Sequence, residues 1–130
     1  MKNIQIPVSP GEVLDKITIL EIKSERMSDP HMLANVRVEL KLLLDAWAGA
    51  INEDEVIRGL HVELREINES LWEIEDDIRD KERAKEFDEE FIRLARAVYI
   101  TNDRRSAVKK KLNLHFGSEI VEEKSYQDYA

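Results

Sequence analysis

The sequence predicts an all-α fold, an antiparallel bundle of about four helices with short extended arms at both ends. Three observations carry this. Across residues 54–86 the apolar side chains fall at Ile57, Leu60, Leu64, Ile67, Leu71, Ile74 and Ile78. These steps of three and four line one face of an α-helix and of nothing else. Gly and Pro number 4 and 3, too few for the many tight turns of an all-β chain. The strong helix formers Leu, Glu, Lys, Arg and Ala dominate instead.

At the start, Ile4, Ile6 and Val8 alternate with Asn3, Gln5 and Pro7. This is the pattern of a short half-buried strand or extended arm, and Pro7, which has no N–H, suits an edge. Ser9, Pro10 and Glu12 then form a helix start: a cap, a proline at the first helical position and the distal acid of a capping box. The first helix is expected over residues 10–27. Val13, Ile17, Leu20 and Met27 make one row, and Leu14, Ile19 and Ile22 widen it, so this helix is sandwiched between neighbours. Ser28-Asp29-Pro30 breaks the chain and restarts it.

The second helix carries Leu33, Val36, Leu40, Leu43 and Trp47, with Met32, Val38, Leu42 and Leu44 beside them, and Gly49 marks its stop. Asn52, with Glu55 three residues on, is expected to cap the long third helix, whose roughly 30 residues span about 45 Å. A charged run at residues 80–85 closes it, and Asp88 is placed to cap the last helix. There Phe91, Leu94, Ala95, Val98, Val108 and Leu112 form the stripe. Thr101, Asn102 and Arg105 interrupt it where apolar residues are due, and Gly117 ends it. In the tail, residues 118–130, the anchors Ile120, Val121, Tyr126 and Tyr129 predict that it lies on the body, paired with the N-terminal arm as a two-stranded ribbon. The first two helices together about match either later one in length, so a hairpin sharing one layer is expected. The seven-residue spacing of the long helix favours a shallow crossing.

The 130 residues fit a single helical domain, residues 1–130. A net charge of −8 argues against nonspecific binding to nucleic acid or to an anionic membrane surface. Cysteine is absent, which removes disulfides, thiolate metal sites and a thiol nucleophile. Residues 1–5 lack the apolar run of a signal peptide, and no apolar stretch is long enough to span a bilayer. The expected location is the cytoplasm.

Three stretches are candidate sites. Glu63, Glu66, Glu69, Glu73, Asp76 and Asp77 crowd the long helix, and carboxylates at such spacing hold Mg²⁺. Glu63-Leu64-Arg65-Glu66 and Glu73-Ile74-Glu75-Asp76 resemble the motifs of all-α nucleotide pyrophosphohydrolases of the MazG type, which need Mg²⁺. In that family the two motifs lie on separate helices, whereas here they share one, and a solvated acidic face is the preferred reading. The second stretch is the polar break around Arg96, Tyr99, Asn102, Asp103, Arg104 and Arg105. Steps of three put Arg96, Tyr99 and Asn102 on a shared face, extended one turn by Arg105. Guanidinium forks suit carboxylate or phosphate, and buried polar groups need partners. Asp15 and Glu21 of the first helix are the expected internal ones, which makes an ion-pair network setting helix register the alternative to a ligand pocket. The third, residues 20–27 (LEIKSERM), is faintly similar to the first helix of all-helical chorismate mutases, but only that octet matches. His31, His61 and His115 show no metal spacing, and Trp47 and Trp72 read as core or groove residues.

Two longer stretches carry a further likeness: residues 7–23 (PVSPGEVLDKITILEIK) with residues 33–37 (LANVR), and residues 94–105 (LARAVYITNDRR) with residues 122–126 (EEKSY). They resemble a family of small bacterial and phage proteins of unknown function, some attached to tetratricopeptide-repeat or glycosyltransferase-like proteins. The resemblance implies that the first helix, the last helix and the tail form one unit, and by analogy it points towards sugar or cell-surface metabolism. It brings no activity.

The leading functional expectation is a noncatalytic interaction or assembly module that forms a homo-oligomer, a homodimer above all, or binds a protein partner. The long helix and Trp72 would offer its groove, and no cofactor would be needed. The first alternative is a binding protein or enzyme for a small anionic ligand, phosphate- or sugar-nucleotide-like. It would use Asp15, Glu21, Arg96, Tyr99, Asn102, Arg105 and Lys124. The second is a Mg²⁺-dependent nucleotide hydrolase.

Overall fold

The computed structural model describes residues 3–129; Met1, Lys2 and Ala130 lie outside the described residues. Four helices follow one another: α1 (Pro10–Arg26), α2 (Pro30–Ala50), α3 (Glu55–Ala84) and α4 (Glu89–His115). They form an all-α bundle, and no strand occurs among the described residues.

Each helix begins on a side chain that takes up an orphan backbone N–H. The Ser9 hydroxyl accepts from the Glu12 amide at 3.3 Å, with Pro10 in the first turn. Asp29 accepts from His31 and Met32 at 2.9 and 3.1 Å. Asp88 accepts from Phe91 at 3.0 Å. The cap of α3 is Asp54 rather than the expected Asn52. The Asp54 carboxylate accepts from the Ile57 amide at 2.8 Å and also holds His115 Nε2 at 2.9 Å. An ionised acid at the positive end of a helix outcompetes a neutral amide two residues earlier. Gly49 does not stop α2, which runs on to Ala50 and is capped by Ile51 in an extended conformation. Gly117, at φ 64°, does close α4. The Ser118 amide donates to the Asn113 carbonyl at 2.9 Å and the Gly117 amide to Leu114 at 3.2 Å, a left-handed stop of the kind glycine serves best.

Helix α1 touches all three other helices, while the backbone of α2 neighbours α1 alone. The core joins Leu14 and Ile17 of α1, Ile57, Leu64 and Ile67 of α3, Val108 and Leu112 of α4, and Trp47 of α2. Burying each such aliphatic side chain is worth about 1.5–3 kcal/mol. Trp47 donates to Glu53 at 2.9 Å and meets Phe116 edge-on at 6.2 Å. The breadth of the α1 stripe follows from its place: it has a helix on more than one side.

Two features depart from an evenly packed bundle. No residue from 69 to 93 is buried, so the far half of the α3–α4 hairpin is a two-helix projection. Its tip is clasped by Lys81, which reaches Glu86 and Asp88 at 2.9 Å each, and by an edge-on Phe87–Phe91 pair. Among the described residues the expected ribbon between the arms does not form. The N-terminal arm lies by the end of α2, where Val8 borders a pocket with Ala46 and Ala50. The tail instead follows α4, with Glu122 on Lys109 and Glu123 on Lys110 at 3.3 Å, and the Tyr129 ring on Tyr99 at 5.1 Å. Charge on α4 draws the acidic tail away from the arm.

Candidate functional site

The polar break in α4 faces inward, onto α1. Asp15 sits at a position of α1 that the wide apolar stripe carries into the core, and it is 1% exposed. A buried carboxylate without partners would be strongly disfavoured. Arg105 supplies them from α4. Its Nε donates to Asp15 Oδ1 at 2.8 Å, and its Nη2 donates to Oδ2 in the second arm of the fork. This is the bidentate match for which guanidinium is suited. The Asp15 carboxylate, hydrogen-bonded to the guanidinium, holds Arg105 above its ordinary range.

The network widens around that pair. From α3, Asn68 Nδ2 donates to Asp15 Oδ1 at 2.9 Å and to the Thr18 hydroxyl at 2.7 Å. Thr18 in turn donates to the Asp15 carbonyl at 2.7 Å. Lys109, one turn along α4, lies 3.7 Å from Asp15, 2.7 Å from Glu12 and 3.3 Å from Glu122. Burial opposes the charge on Lys109, yet those three carboxylates outweigh it and raise its pKa. Lys109 and its neighbour Lys124 hold Glu122 low. A turn further on, the Gly11 amide donates to the buried Asn113 side chain at 2.7 Å. A Cβ on Gly11 would lie 2.6 Å from the Lys109 carbonyl, so only glycine lets α1 approach α4 this closely. Among the described residues no buried side-chain nitrogen or oxygen lacks a partner.

Of the residues expected at the site, the structure brings Asp15, Asn102 and Arg105 together, with Arg105 Nη1 donating to Asn102 Oδ1 at 3.4 Å. It sets the others apart. Each step of three on a helix drifts about 60°, so three steps carry Arg96 to the side of α4 opposite Arg105. Arg96 is exposed, in a shallow hollow with Ile92 and Ile100. Tyr99 is 42% exposed and meets the Tyr129 ring edge-on. Glu21 turns to α3 instead of α4, where it meets His61 Nε2 at 3.1 Å and Arg65 at 3.9 Å. That contact raises the His61 pKa. Lys124 lies on the tail, 3.3 Å from Glu122 and over the Tyr126 ring. Asn68, Thr18, Lys109 and Asn113 are members that the pattern did not single out. Only Asn68 carried a signal, an amide one turn after Leu64 on the buried stripe.

Beside the network an open groove of about 680 Å³ runs between α1, α3 and α4. Its walls include Ile19, Lys23, Leu71, Trp72, Asn102 and Arg105. Glu75, Asp76 and Arg79 stand along the same groove, and Arg79 pairs with Glu75 at 3.3 Å. The acidic stretch of α3 is spread over wet positions: among the described residues no three His, Cys, Asp or Glu side chains converge as a metal ion requires. Nor is any described helix long and apolar enough to cross a membrane.

No curated protein and no solved structure matches the chain. A protein family described as a family of unknown function matches residues 4–129, so nearly the whole chain, including both arms and all four helices, carries the family pattern. The chain belongs to that family, the family of unknown function DUF6165.

Proposed function

We propose that this chain is a noncatalytic interaction module that self-associates and holds a partner at the groove beside Trp72. The observation that carries the reading is the closure of the polar centre. Asp15, the buried acid that chemistry would need free, has its carboxylate taken up by Arg105 and Asn68. A reactive centre keeps a group with an open position at a cleft. Here the carboxylate of Asp15 is 1% exposed, and beside Asn102 and Arg105 the groove offers solvent a flat indole, two aliphatic side chains and charges of both signs. At about 680 Å³ the groove lies within the size range of ligand pockets. With one side open it suits a protein segment carrying an aromatic or aliphatic anchor flanked by charges. The resemblance to small bacterial and phage proteins, some joined to tetratricopeptide-repeat or glycosyltransferase-like partners, fits a module that works in the cytoplasm by holding other proteins.

The test is incubation with nucleoside triphosphates and nucleotide sugars, with and without Mg²⁺, followed by product analysis and thermal shift. The reading predicts no turnover. Turnover that is lost in Arg105→Ala would overturn it.

One observation favours the anionic-ligand reading as second. Lys23 lines the groove next to Asn102 and, among the described residues, has no ion-pair partner. That reading predicts a thermal shift with phosphate or a nucleotide sugar that Lys23→Glu removes while the shift survives in Arg96→Ala. No shift with any of these would leave the protein-segment reading alone.

A further inference from the structure

We infer that a second copy of this chain docks on the outer side of α2 by exchange of the N-terminal arms. The inference rests on the self-association proposed above and names its surface, which is not the Trp72 groove.

The first observation is the arm. Residues 3–9 form no helix or strand, and Ile4 and Ile6 are 78% and 70% exposed. Two isoleucines two residues apart on this arm are left largely uncovered in the single chain. The second observation is a pocket at the root of that arm, about 190 Å³ and mostly apolar, bordered by Val8, Pro10, Val13, Ala46, Ala50 and Ile51. Apolar cavities of about 150 Å³ admit a benzene ring, so an isoleucine side chain fits. Residues 3–7 fully extended span at most about 17 Å, long enough to cross to an adjacent copy.

An arm rooted at the pocket it would fill is self-complementary. About a two-fold axis, the arm of each copy enters the pocket of the other, and one patch supplies both halves. The third observation extends the patch. Val38, Leu42, Ala46 and Ala50 follow every fourth residue along α2, all exposed, with Val38 at 63% and Leu42 at 49%. The ridge runs into the pocket and is shaped for the ridge-into-groove crossing of two helices. No other helix of the chain covers it, since α2 neighbours α1 alone.

Charge chooses a second copy as the occupant. The chain as a whole carries −8, but Arg37 and Lys41 on α2 balance Glu39 and Asp45. Lys41 and Asp45 flank the ridge and lie 2.9 Å apart. In an antiparallel copy the Lys41 of one chain comes opposite the Asp45 of the other. The projecting α3–α4 tip, the other unpartnered element, behaves in the opposite way. Residues 73–90 hold ten carboxylates against four cations, so two tips repel.

The chain has no cysteine, which makes the test direct. Chains carrying Ile6→Cys are mixed with tagged chains carrying Ala50→Cys under oxidising conditions, and light scattering is run on wild type, Leu42→Glu and Trp72→Ala. Expected are a disulfide-linked mixed dimer, a wild-type dimer, a Leu42→Glu dimer weakened about 30-fold or more, and a Trp72→Ala dimer of unchanged strength. Leu42 lies outside the core, so the helical circular dichroism of its variant should match wild type. A wild-type monomer at high concentration would overturn the inference together with the self-association it rests on. A wild-type dimer that forms no mixed disulfide and survives Leu42→Glu would overturn the inference alone and move the interface elsewhere.

Discussion

At the residue scale, the most informative side chains are those that break the helical pattern. Gly11 is needed for α1 to reach α4. Gly11→Ala should therefore lower stability by about 1–3 kcal/mol, as overpacking does, read as a shift in the urea midpoint. His61 provides a pH test. Its pKa is raised mainly by the hydrogen bond to Glu21, against the opposing effect of burial. A histidine raised on folding contributes stability fully below its unfolded value, near 6.5, and loses it as pH climbs through the raised folded value. The stability difference between wild type and His61→Gln should thus be larger at pH 6 than at pH 9, and in a Glu21→Gln background, where burial is left opposing the charge, that excess at pH 6 should be lost. Legibility at this scale was mixed. The interruption at Asn102 and Arg105, and Asp15 as partner, were visible because polar residues stood where apolar ones were due. Arg96 and Tyr99 were grouped with them by a local spacing rule that drifts round the helix over three steps. Lys109, Thr18 and Asn113 gave no warning, since a lysine or a threonine on an amphipathic helix looks like surface until its neighbours are known.

At the scale of the element, helix starts and stops read well wherever a cap had no rival. Ser9, Asp88 and Gly117 did their expected work. Asn52 lost to Asp54 because both lie within reach of the same helix end and the charged group is favoured there. The charged run at residues 80–85 marks where α3 ends but not how, because Lys85 takes the left-handed conformation at φ 58° that glycine usually fills. The Glu86 amide still closes back on the Lys81 carbonyl at 3.0 Å. A side chain in that region costs about 1–2 kcal/mol, part of which returns as lost chain freedom when glycine replaces it. Lys85→Gly is expected to raise stability by about 0.5–1 kcal/mol in thermal or urea unfolding. The alternation of Ile4, Ile6 and Val8 in one arm and the apolar anchors of the tail suggest a ribbon. Ion pairs from Lys109 and Lys110 to the tail decided otherwise, and such pairings across distant segments leave no local period in a sequence.

At the scale of the whole molecule, the helix count and the all-α class followed from periodicity, while the uneven packing did not. A stripe of constant period along α3 gives no sign that its neighbours end half-way. The unburied stretch from residue 69 to 93 should exchange its amide hydrogens well before the Leu14–Ile57–Leu64–Leu112 core, since opening it exposes little apolar surface. Hydrogen-exchange mass spectrometry would show this as a separate fast unit. A sealed centre, with function moved to the outer surfaces, is the claim on which the functional reading stands. It is tested most directly by a double-mutant cycle on Asp15 and Arg105 in urea unfolding. Arg105→Ala is expected to cost about 3–5 kcal/mol, because it strands a buried carboxylate, and Asp15→Ala with Arg105→Ala together should cost far less than the two single losses added. An Arg105→Ala variant within about 0.5 kcal/mol of wild type, with the two losses simply additive, would mean that the guanidinium is free for a ligand and that the centre is not a lock.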